Sequence, residues 1–140
     1  MYQKILLAAD GSDHSIRATD KAIELAHMNN ESLIHVIYVI NEDNTKTDVL
    51  HHWNETEFIM LKRKELIIPI EDKLEASTLQ YETKIIRGNP GPTIVQYAND
   101  HQFDLIVIGS RGLNSLQEFV LGSVSHKVAK RANCSVLIVR

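Results

Sequence analysis

Ile5-Leu6-Leu7-Ala8-Ala9-Asp10-Gly11-Ser12 is the stretch that decides the fold. An unbroken apolar run has no polar face, so the strand it forms is covered on both sides, as in a parallel sheet. Asp10-Gly11-Ser12 then turns the chain, and Ser12 or Asp13 is placed to cap a helix. Ile16, Ala22, Ile23 and Ala26 follow at roughly helical spacing and supply its apolar stripe. A buried strand running through a tight turn into an amphipathic helix is the first half of a βαβ unit.

The alternation continues outward from that unit. Ser32 to Ile40 is rich in Ile and Val and reads as a second buried strand, in which His35 is a core or sheet histidine rather than a ligand. Residues 41–50 are polar and without period, a loop. Trp53, Met60, Ile67 and Leu74 then recur every seven residues, with Leu61 and Ile68 beside them, and predict an amphipathic helix. Pro69 lacks an amide donor and disfavours helical geometry at Ile68, so a kink or break is expected near Ile68-Pro69.

Leu79 to Arg87 reads as a third strand, and Gly88-Asn89-Pro90-Gly91-Pro92 is a dense turn signal. Pro92 suits a first helical turn, with Ile94, Val95 and Ala98 behind it. Asp104 to Ile108 is the fourth strand. After the glycine-bearing loop 109–122, Val124, Val128, Ala129 and Ala132 mark a short helix, and Ser135 to Val139 is the last strand. The order implies an α/β fold, an open parallel sheet of Rossmann-like type with helices on both faces. Ligands of such sheets bind beyond the carboxyl ends of the strands where the winding reverses. That rule directs attention to Asp10, Val39 and the loop after Ile108.

Composition narrows the field. At 140 residues one domain over 1–140 is expected, large enough to build a core without staples. Eighteen acids against 15 bases leave a net charge of -3, which argues against nucleic acid as the main partner. No uncharged stretch exceeds about a dozen residues, short of the ~18 that a membrane span needs. Ile5 to Ala9 is likewise too short for a signal peptide. A single cysteine, Cys134, forms no internal disulfide, so a cytoplasmic location is expected and Cys134 reads as a small buried hydrophobe.

The segment richest in chemistry runs from Gly109-Ser110-Arg111-Gly112 to Gly122-Ser123-Val124-Ser125. Gly109 follows a strand directly, where a missing Cβ lets a ligand approach the backbone, and Gly112 can turn the loop. Gly122 and Ser123 open a helix whose free amides attract anions. Ser110, Ser123 and Ser125 add hydroxyls, and Arg111 adds a cation. The set suits phosphate; the plainer alternative is a strand-to-helix connection in which Ser123 merely caps.

Other constellations are weaker. There is no P-loop, since no Gly-Lys-Ser/Thr stands at the required spacing. His51-His52 with Glu55 is not spaced as a metal-ligand set and reads as solvated loop, and His126 as a surface residue. Lys62-Arg63-Lys64 has no interleaved aromatics and reads as a solvated helix face. No nucleophile elbow places a serine for catalysis.

The spacing Gly109-x2-Gly112-x9-Gly122-Ser123 resembles the nucleotide-binding signature of the universal stress protein family. The likeness runs nearly end to end: Asp10-Gly11-Ser12 with Ala18, Ala22 and Ala26, then Tyr38-Val39, Gly88-x-Pro90-x3-Ile94 and Val136 to Val139. Ser135 departs from it, because the family often has proline there.

The resemblance implies the strand order 3-2-1-4-5 and a set of roles. Ala9 and Val39 would line an adenine pocket, and Asp10 would sit near the ribose or a phosphate-bound metal. Ile108 and Gly109 would lie against the nucleotide, and Ser110, Arg111 and Gly112 would begin the phosphate loop. Gly122, Ser123, Val124 and Ser125 would complete the cradle. The function implied is that of an ATP-binding regulatory or signalling protein of the stress response with little or no turnover, Mg²⁺ or Mn²⁺ accompanying the triphosphate. The alternatives are a slow ATP hydrolase or phosphotransferase, and a nucleotide-free dimeric scaffold. Val136-Leu137-Ile138-Val139, an unguarded apolar edge, is expected to form a homodimer.

Overall fold

The structure, a computed structural model, describes residues 2–29, 32–41, 54–111 and 122–140. Its strands are β1 (Lys4–Ala8), β2 (Leu33–Asn41), β3 (Gln80–Gly88), β4 (Leu105–Gly109) and β5 (Ser135–Val139). They form one sheet in the order β3-β2-β1-β4-β5, and every pairing is parallel. The helices are α1 (Asp13–His27), α2 (Glu55–Lys62), α3 (Ile68–Ser77), α4 (Pro90–Asp100) and α5 (Ser123–Arg131).

Both faces of the central strands are covered, which is why β1 is apolar from Ile5 to Ala8. Ile5, Leu7 and Ala9 pack with Ala18, Ala22 and Ala26 of α1 and with Ile67, Ile70 and Leu74. Leu6 and Ala8 face the other way, toward Ile94, Val95 and Ala98 of α4 and Val128 of α5. Each large side chain sealed this way stabilises the fold by about 1.5–3 kcal/mol. The alanines let α1 lie close on the sheet. Its buried stripe is Ser15, Ala18, Thr19, Ala22 and Ala26, while Ile16 and Ile23 are only half-buried.

The expected break before Pro69 takes a specific form. Residues Arg63–Ile67 form a π-helical turn between α2 and α3, and the Ile68 N–H donates to the Arg63 carbonyl, five residues back. Pro69 then occupies the first turn of α3, where its missing donor costs nothing. The wide turn inserts an extra residue into the helical phase. Met60 is therefore rotated out of the predicted stripe to 65% exposure, and Phe58 takes the buried place on α2. Trp53 and the 41–50 loop lie largely outside the described residues.

His35 is a half-buried sheet histidine, as its setting predicts. Its ring meets Phe103 edge-on at 5.0 Å and lies beside Tyr97, while Nε2 is 3.5 Å from Glu82. Glu55 pairs with Arg87 at 3.3 Å, and Arg63 of the basic cluster pairs with Glu71 at 2.8 Å. Cys134 is half-buried, and burial pushes its thiol pKa up. On α5, Ala129 is exposed, so Ser125 and Val128 carry the buried face instead. No described helix is long and apolar enough to cross a membrane.

Candidate functional site

The winding reverses between β1 and β4. The chain leaves β1 for α1 on one face and returns through α5 on the other, and a cleft of about 370 Å³ opens between these exits. Its apolar lining includes Ala8, Val39, Ile94, Ile108 and Val124. Its polar lining includes Asp10, Ser12, Ser15, Arg111 and Ser123. Of the residues singled out in the sequence, Ala9, Asp10, Val39, Ile108, Gly109, Arg111, Gly122, Ser123, Val124 and Ser125 all line it. Gly112 lies outside the described residues.

The turn after β1 is locked by its own polar groups. Ser12 N–H donates to Asp10 Oδ1 at 2.9 Å, Asp10 N–H donates to Ser15 Oγ at 3.2 Å, and Ser15 N–H donates to Ser12 Oγ at 3.1 Å. Ser12 is thus the N-cap of α1, and Asp10 is held at the cleft rim. Gly11 has φ +82°, the left-handed region that favours glycine, and an added Cβ would meet Leu66 of the π turn at 2.6 Å.

Two donors tie the end of β4 to the start of α5. Gly122 N–H donates to the Ser110 carbonyl at 2.7 Å. The Ser125 hydroxyl is directed at the same carbonyl at 2.8 Å and at Gly122 O at 3.0 Å. Its proton is therefore engaged by the backbone, and Ser125 acts in the cleft by fixing the helix start. Ser110 stands behind the lining, its Oγ 3.1 Å from His14 Nδ1. Gly109 is required by close approach: a Cβ there would meet His14 Cβ at 2.7 Å.

Both α4 and α5 point their N-termini at the cleft without a side-chain cap, from Asn89 and Gly122 respectively. The leading amides of α5 are left for water or an anion, whereas α4 offers fewer because Pro90 and Pro92 have no N–H. Among the described lining residues Asp10 is the one carboxylate and Arg111 the one cation. Tyr38 also lines the cleft; burial first, then Asp10 and Glu65, push its pKa up to about 12, so its phenol stays neutral. No group of three metal-ligating side chains occurs among the described residues. Asp10 therefore suits a metal ion only if phosphate oxygens supply the rest of the coordination.

Tyr38, Asn41 and Pro90 also line the cleft, and His14 stands behind it. The positions of Tyr38 and Pro90 could be read from their strand ends and turns. His14 gave no comparable signal, because Asp13-His14 in a capping turn looks like solvent-facing sequence.

The fold and the cleft define a doubly wound, all-parallel α/β domain with its pocket at the winding reversal. Within that class the chain belongs to the universal stress protein family, whose family model matches residues 1–140. It is 36% identical to the universal stress protein YxiE of Bacillus subtilis, with all of both chains covered. Among solved structures it is similar to the protein MJ0577, with a TM-score of 0.85, 29% identity, and 99% of this chain and 96% of that chain covered. A universal stress protein solved in complex with cAMP is 30% identical, with a TM-score of 0.71 and 99% and 97% of the two chains covered.

Proposed function

We propose that this chain binds an adenine nucleotide, ATP above all, in the cleft between β1 and β4, and acts as a nucleotide-dependent regulatory protein of the stress response. The observation that carries the reading is the cleft's mixed lining: apolar Ala8, Val39, Ile94 and Ile108 share it with Gly122 and Ser123 at the N-terminus of α5, which has no side-chain cap. The apolar lining residues suit a base, and the leading amides of α5 suit phosphates. The relative solved with cAMP supports an adenine nucleotide as the class of ligand.

In this reading Val39 and Ile108 hold the base, Asp10 meets the ribose or a metal ion carried by the phosphates, and Arg111 with the Gly122–Ser125 turn meets the phosphates. A Mg²⁺ or Mn²⁺ ion would neutralise phosphate charge there. Turnover is slow or nil, because phosphoryl transfer needs a positioned water and several neutralising charges. Among the described lining residues Arg111 alone is a cation, and Asp10 Oδ1 already accepts from Ser12. The protein acts as a homodimer joined through β5.

Calorimetry on nucleotide-free protein tests the assignment. ATP should bind with measurable heat and raise the melting temperature. No heat and no thermal shift with ATP, alongside a response to another ligand, would remove the nucleotide assignment. Turnover above roughly 1 s⁻¹ would move the protein into the enzyme class.

A further inference from the structure

His14 belongs to the first turn of α1, yet its ring reaches the end of β4 on the far side of the winding reversal. Its two nitrogens engage consecutive residues of that segment. Ser110 Oγ lies 3.1 Å from Nδ1, and Arg111 Nη2 lies 3.2 Å from Nε2. A guanidinium only donates, so Nε2 accepts from Arg111. The ring proton then resides on Nδ1 and is donated to Ser110. Ser110 is buried and its carbonyl is itself anchored to Gly122 and Ser125, so the imidazole is oriented from a rigid base. Gly109 makes the approach possible, since any Cβ there would collide with His14.

We propose that His14 is a positioning residue for the phosphate end of the cleft. Through Nε2 it holds Arg111, the one cation among the described lining residues, in the orientation that meets a phosphate. The inference rests on the proposed nucleotide site and adds to it a residue that does not itself line the cleft. An arginine side chain is costly to order, and a hydrogen-bond acceptor beneath it removes that cost before the ligand arrives. The effect should therefore grow with phosphate charge and vanish for a nucleoside.

The test is a double-mutant cycle read by calorimetry with ATP and with adenosine. His14→Ala and Arg111→Ala should each weaken ATP binding about tenfold, the scale of one hydrogen bond to a charged group. The double variant should be no weaker than Arg111→Ala beyond about twofold, because His14 acts through Arg111. Adenosine affinity should change less than about twofold throughout. Two near-isosteres guard against a merely structural loss. Gln at position 14 can present an acceptor near the place of Nε2 and should restore ATP affinity, whereas Asn reaches only the place of Nδ1 and should not.

Losses that multiply in the double variant, equal loss of adenosine and ATP, or rescue by Asn rather than Gln would each overturn the role. Wild-type protein that binds no adenine nucleotide would overturn the parent reading and this one together. That result is distinct from wild-type binding that is indifferent to His14.

Discussion

At the residue scale the site rests on a few positions where a side chain is absent or spoken for. Ser125 looked like a hydroxyl donor to a ligand, yet its proton is directed to the Ser110 and Gly122 carbonyls. Which way a hydroxyl points depends on carbonyls brought close only by the fold, so spacing alone could not reveal it. His14 was hidden for the same reason, because Arg111 is 97 residues away. Gly122 was legible from its place at a helix start, and it offers the sharpest single-site prediction. Its φ of -62° and ψ of 158° are open to any residue, so Gly122→Val does not strain the backbone. Valine is a poor N-cap and should cost about 1 kcal/mol of stability. Its branched Cβ would occupy phosphate space, so ATP binding should be lost while a cooperative melt survives. Retained ATP affinity in a folded Gly122→Val protein would place the phosphates elsewhere.

At the scale of elements, the strands were legible to within about a residue at each end, because period and turn chemistry agree there. The long helical segment was less so. Pro69 announced a break, but the π turn before it also rotated Met60 to the surface, and a seven-residue repeat assumes a phase that such a turn destroys.

On β2, the buried setting of His35 has a measurable consequence. Burial lowers its pKa below the ordinary 6.5, and Glu82 only partly opposes this, while Lys4, His101 and Lys84 add to the lowering. The folded state thus binds the proton less readily than the unfolded chain does. Stability should fall as the pH drops through 6.5 and level off, for this group, below the folded pKa. Urea midpoints measured from pH 7.5 to 5 should show the decline, and His35→Gln, which cannot titrate, should flatten it. An unchanged slope in that variant would assign the acid sensitivity to other groups.

At the scale of the whole molecule, the two edges of the sheet differ in a way that the strand order makes meaningful. β3 carries Glu82, Lys84 and Arg87 among its exposed positions, and α3 reaches over it through Glu71, which accepts from Thr83 at 2.7 Å. Charges on an edge strand discourage pairing with another chain. β5 has no such guard: Val136, Leu137, Ile138 and Val139 are all half-exposed, and among the described strands β5 pairs only with β4. Leu137 and Val139 pack toward one core cluster, and Val136 and Ile138 toward the other. Among the described residues both faces and the edge of β5 therefore offer apolar surface for a second copy. Light scattering should report a dimer for the unmodified protein. Val139→Lys places a charge on that edge and should shift the mass to a monomer, with the melt recorded to show that the variant still folds. Leu137→Lys should do the same, at a greater cost in stability where its stem meets the core. A monomeric unmodified protein would reject the β5 interface outright, and a dimer that survived both lysines would move the contact to another surface.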